Sequence, residues 1–328
     1  MNTMQSTLKR WLFLSAIIAG IAIHGFASPA QSELLSLVPA GAQIVAGIED
    51  PHNPNSHGRL LLVTHSNSLD FTDWVALTGV DEQREADEVI EVAASSSLGE
   101  LKEHLLLVEG RFDAERIFHA AEQNGAVQMQ YRDQTVLLVR PFPREQAEIA
   151  GTRWMVILDD RTALFGTPLL VQEALDRHAA HAATDSLLAG HLAQLRPDVN
   201  SWNVLIMSSE TLTRHLAPGE LHASWTHILD GADELTVGIH YGSMARVDFV
   251  AHTLREHQTS DVAALFAQPQ FVRAGLFHEQ RLRLENLSVE RNHIQGSVAL
   301  PGKEFDAWLE AIYRRRSRND NSDHFNAH

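Results

Sequence analysis

The sequence predicts an α+β fold of antiparallel β-hairpins alternating with helices packed on one face, and three observations predict it. Apolar segments of period two occur in close pairs, a short turn joins each pair, and a segment of helical period follows. That ββα order recurs: 88–109 with 113–124, 154–166 with 168–183, 234–253 with 254–267, and 285–300 with 302–316. A parallel doubly wound sheet would alternate single strands with helices instead. The recurrence admits a division into two similar lobes, 31–196 and 197–318, between a signal segment at 1–30 and a disordered tail at 319–328.

The elements follow in order. Glu33 to Val38 reads as a short helical entry stopped by Pro39, and Gln43 to Glu49 as a strand. Pro51 to His57 is a turn-rich loop, because Pro, Asn and Ser favour turns. Glu88–Ser95 and Glu103–Glu109 pair around a Ser/Gly turn. Asp113 then caps a helix whose Ala114, Ile117, Phe118 and Ala121 recur at i, i+3, i+4 and i+7, and Gly125 closes it. Hairpins are expected at 127–140 and at 154–166, the second turning on Asp159-Asp160-Arg161.

Thr167 and Pro168 open a helix expected to reach Ala183, with a shorter one over Leu187–Leu195. A strand begins at Trp202, and helices are expected at 211–216 and 221–229. Leu235, Val237, Ile239 and Tyr241 alternate with polar residues in a half-buried strand, which pairs with 246–253. A helix over 254–267, a hairpin at 285–300 and a last helix from Gly302 complete the chain, with Arg314, Arg315, Arg316 and Arg318 complementing that helix's dipole.

The amino-terminal segment carries the one specific targeting pattern. Lys9 and Arg10 precede the apolar run Trp11–Ile23, and Gly25-Phe26-Ala27 and Ser28-Pro29-Ala30 both offer small-x-small cleavage sites. The run is shorter than the ~20 residues a spanning helix needs. The expectation is export to the periplasm or beyond, with no stable membrane span after cleavage; an anchor retained at 11–23 is the alternative. No cysteine follows the run, so there is no acylation site.

Composition narrows the classes further. The chain has 328 residues, 44% hydrophobic and 21% charged, enough for a sizeable core. Its net charge of −16 becomes −18 without Lys9 and Arg10, so a phosphate backbone is repelled and no nucleic acid is expected as partner. Zero cysteines exclude disulfides, thiolate metal sites and cysteine nucleophiles.

Four segments together carry a resemblance: SELLSLVPAGAQIVAGIED (32–50), LLLVEGRFDAERI (105–117), TALFGTPLLVQEALDRH (162–178) and SVALPGKEFDAWLEAI (297–312). They resemble a group of exported bacterial proteins in which a signal peptide precedes an L-x-L-V-P-x-x-A-x-x-V-A-G-I-D start. The resemblance implies export and the fold. Its motifs concern packing and turns, so it implies no catalytic residue and no cofactor.

No G-x-S-x-G elbow, H-E-x-x-H helix, Walker loop or G-x-G-x-x-G turn occurs, which weighs against an enzyme. Nineteen histidines are the unusual feature. His178, His181 and Asp185, at i, i+3 and i+7 of one expected helix, form the candidate metal-ligating set and the centre of an alternative reading as a metal-dependent hydrolase. His240 and His252 lie on the polar face of the 234–253 hairpin, read first as a solvated sheet face and, with Glu234 or Asp248, as a small titratable patch in the alternative. Asp159-Asp160 reads as turn chemistry rather than a calcium loop. The favoured expectation is a non-catalytic binding or scaffolding protein without cofactor, acting on an unidentified protein or small-molecule partner outside the cytoplasm.

Overall fold

The computed structural model describes residues 32–49, 71–95, 101–139, 151–207, 232–253, 283–290 and 292–305. The signal segment expected at 1–30, the loop expected at 51–57, the helices expected at 211–216, 221–229 and 254–267, the arginine cluster and the tail expected at 319–328 lie outside the described residues. In chain order the strands are β1 (Ile44–Glu49), β2 (Ala86–Ser95), β3 (Leu101–Gly110), β4 (Val127–Tyr131), β5 (Gln134–Val139), β6 (Arg153–Ile157) and β7 (Thr162–Gly166). They continue with β8 (Ser201–Ile206), β9 (Ala232–His240), β10 (Met244–Thr253), β11 (Arg283–Glu290) and β12 (His293–Pro301). The helices are α1 (Phe71–Thr78), α2 (Glu82–Glu85), α3 (Ala114–Gln123), α4 (Pro168–Ala179) and α5 (Ser186–Leu192), preceded by a 3-10 turn at Glu33–Leu37.

The mixed α+β class is as expected, and every hairpin read from the sequence forms as an antiparallel pair. All twelve strands join one sheet, in the order β11-β12-β10-β9-β8-β1-β2-β3-β7-β6-β5-β4. Strands before residue 167 fill one half and strands after residue 200 fill the other, meeting where β1 pairs with β8. Each half runs through the same scheme. β1-β2-β3-β7-β6 is matched by β8-β9-β10-β12-β11, and the β4–β5 hairpin is added at the first half's edge.

The expectation of helices on one face is corrected. The central strands are buried on both sides: Ile44, Ala46 and Ile48 of β1 face one core, and Val45 faces the other. With period-two geometry, a strand apolar on both faces needs cover on both. Trp74 of α1 and Ile117 and Ala121 of α3 close the first face, where Trp74 meets Phe112 edge-on at 5.7 Å. Leu34, Leu35 and Leu37 of the 3-10 turn, Leu170, Val171, Ala174 and Leu175 of α4, and Leu188 and Leu192 of α5 close the second.

Local chemistry sets the helix ends. The Asp113 carboxylate accepts from Arg116 N at 3.1 Å, and Gly125 leaves α3 at φ 90°. α4 starts on Thr167-Pro168 but stops at Ala179, short of the expected Ala183, and His181 sits at φ 47°. A fresh cap then begins α5: Asp185 accepts from Leu187 N at 2.9 Å and Leu188 N at 3.2 Å.

Two glycines admit close approach. At Gly47, opposite Trp202 across the β1–β8 pair, an added Cβ would lie 2.3 Å from the indole, so glycine alone leaves room for that ring. At Gly238 of β9, a Cβ would meet Val199 and Leu195 at 2.8 and 2.9 Å. The chain leaving α5 therefore lies directly on β9. That contact positions the site described next.

A candidate metal centre between helix and sheet

Three adjacent strands put one row of side chains on the α5 face. In the antiparallel register His252 of β10 stands opposite Glu234 of β9 on one side and His293 of β12 on the other. Directly paired residues share a face, so the three form a line across the sheet. His191, in the last turn of α5, descends onto this line between the anchors Leu188 and Leu192.

His191 is 2% exposed. Its Nδ1 lies 3.0 Å from Thr236 Oγ1, and its Nε2 lies 3.5 Å from Glu234 Oε2. The His191 and His252 rings meet edge-on at 5.9 Å, and His252 meets His293 edge-on at 4.9 Å. One ligand atom each from His191, Glu234 and His252 lie within 4.8 Å of one another. Ligand atoms bound to one tetrahedral zinc ion at ~2.1 Å stand ~3.4 Å apart, so the side chains would have to close by about an ångström to hold a metal.

The electrostatics favour neutral imidazoles. Burial pushes the His191 pKa below its ordinary value, opposed by the Glu234 carboxylate and reinforced by His252. Burial likewise lowers His252, reinforced by His293 and opposed by Glu234. A neutral imidazole offers one nitrogen lone pair to a metal. Among the described residues, the buried Nε2 atoms of both His191 and His252 lack hydrogen-bond partners. Leaving a buried polar atom unpaired costs ~1–3 kcal/mol. These two imidazoles, grouped with the Glu234 carboxylate, offer a donor set of two nitrogens and an oxygen, suited to zinc and similar borderline ions.

The set read from the sequence is not brought together. His178 ends α4 exposed on the surface, His181 has left the helix, and Asp185 turns its carboxylate to the α5 backbone. The face shared by i, i+3 and i+7 exists only if the helix continues, and it ends at Ala179. The second patch divides. His252 and Glu234 enter the cluster, whereas His240 Nδ1 lies 2.5 Å from the carbonyl of Asp198. Arg246 forks onto both Asp198 oxygens at 2.9 Å and donates to Asp248 at 3.1 Å, and Ser297 also bonds Asp248. Arg196 Nε lies 3.4 Å from Asp198, so two guanidinium groups meet two carboxylates, and the network ties the segment after α5 to β10. Asp159 Oδ1 accepts from Arg161 N and Thr162 N, which is turn chemistry as expected.

Sequence reasoning missed His191 and His293. The period-two placement of His252 and Glu234 was readable, but neither the β10–β12 pairing nor the docking of α5 over β9 leaves a local pattern.

Among the described residues, no helix is long and apolar enough to cross a membrane. No family model and no curated protein matches the chain. A solved structure, crystal form I of TP0453, is similar over 87% of this chain and 99% of its own, with a TM-score of 0.50 and 10% identity. That likeness is one of fold alone.

Proposed function

We propose that this is an exported protein whose role is to bind a divalent transition-metal ion of the zinc class, held by His191 and His252 through Nε2 and by Glu234 through its carboxylate. The observation that carries the reading is the pair of buried imidazole Nε2 atoms without hydrogen-bond partners among the described residues, on two side chains that cluster with the Glu234 carboxylate. A fold under selection for stability alone would fill these positions with apolar side chains, since unpaired buried nitrogens only cost energy. The reading keeps a binding role outside the cytoplasm and moves the metal from His178, His181 and Asp185 to a different set. Export rests on the pattern of Lys9-Arg10, the apolar run and the small-residue sites. The two similar lobes are read as one unit repeated, on the strength of the shared strand order.

Zinc titration of the chelator-treated mature protein by calorimetry tests the reading. One ion per chain is expected. His191→Ala, His252→Ala and Glu234→Gln should each weaken binding at least ~10-fold, consistent with loss of one of three ligands. His178→Ala and His181→Ala should bind as the parent does. No binding by the parent, or equal binding by all variants, rejects the centre.

A further inference from the structure

Thr236 is fully buried in the middle of β9, at 0% exposure, and its cross-strand neighbours are Val204 and Val250. Nothing in that packing calls for a hydroxyl. Valine has nearly the same shape and would match both neighbours, while a buried hydroxyl costs energy unless it is hydrogen-bonded. The hydroxyl lies 3.0 Å from His191 Nδ1.

Resting on the metal reading above, we infer that Thr236 is a positioning residue that sets the tautomer of His191. With Nδ1–H donating to Thr236 Oγ1, the lone pair of the neutral ring is confined to Nε2, the nitrogen 3.5 Å from Glu234 Oε2. The same bond fixes the ring's rotation about its stem, so Nε2 points into the space shared with Glu234 and His252. The opposite tautomer would put a proton on Nε2 and block ligation. Metal-bound histidines generally carry such a partner on their second nitrogen, and its loss typically costs 10–100-fold in metal affinity. The geometry is built before any ion arrives: helix α5 supplies the ring, and the rigid centre of the sheet supplies the group that aims it.

The test compares the full mature chain with Thr236→Val and Thr236→Ser, using zinc affinity by chelator competition and the nitrogen-15 shifts of the His191 ring. The Val variant should bind zinc ~10–100-fold more weakly. Its metal-free His191 should shift toward a mixture of tautomers. The Ser variant, which restores the hydroxyl, should recover both properties. Equal zinc affinity in the Val variant and the parent overturns the role of Thr236 while leaving the centre standing. Failure of Ser to rescue overturns it too, because shape and not hydrogen bonding would then be at work. Absence of zinc binding in the parent rejects the centre itself.

Discussion

At the scale of single residues, His191 and His252 make stability depend on pH. Both sit below their ordinary value of 6.5, so the unfolded chain takes up protons at a pH where the folded rings stay neutral. The stability they contribute is present above that unfolded value and is lost as pH falls through the lower folded values. Glu234 facing both rings opposes the shift, and His293 beside His252 deepens it. The metal-free protein should therefore lose thermal stability between pH 7.5 and 5. His191→Leu, which joins Leu188 and Leu192 in shape, should flatten that part of the profile. A profile unchanged by the substitution contradicts a neutral buried His191. Only part of this chemistry was legible in the sequence. His252 and Glu234 share a face in any period-two reading of the hairpin, but His191 looks like one more histidine on a short helix until its depth is known.

Among the elements, the break between α4 and α5 decides where the histidines go. Only a helix continued through Asp185 would have aligned His178, His181 and Asp185; interrupted at Ala179, it frees Asp185 to cap α5 and so to orient His191. Asp185→Ala should cost about 1 kcal/mol in urea denaturation, the usual loss for a cap, and should weaken zinc binding indirectly. Asp185→Asn, which can still accept from Leu187 N and Leu188 N, should behave nearly as the parent. The reverse ranking would mean that the charge rather than the cap matters. Caps and hairpins were readable because they depend on neighbours in sequence: Asp113, Gly125 and Asp159 act as their residue types predict. The end of α4 was not. No proline or glycine lies between Ala179 and Asp185, and the chain turns there through a left-handed His181, a far weaker signal than a glycine.

Over the whole molecule, one pair of strands unites the two halves. Across it Trp202 lies against Gly47, both cores continue past the seam, and Gly47→Ala forces a Cβ into the indole. Such overpacking typically costs ~1–3 kcal/mol. We expect one shared loss of midpoint when unfolding is followed separately by tryptophan fluorescence and by circular dichroism. Divergent transitions would show that the halves unfold independently. The sheet's global order escaped the sequence for the same reason that hairpins did not. β7 reaches β3, β12 reaches β10 and β8 reaches β1 across long stretches of chain, and period-two patterns record a strand's faces but not its distant neighbours.

The central position of β1 also constrains the order of assembly. This strand leaves the ribosome or a translocation channel before either flanking partner, and its second partner, β8, follows more than 150 residues later. Until Ile206 has been delivered, one edge of β1 waits open, and the cores on both sides of the sheet stay unfinished. Arrest of synthesis ahead of β8 would therefore leave an adhesive nascent chain rather than a finished half.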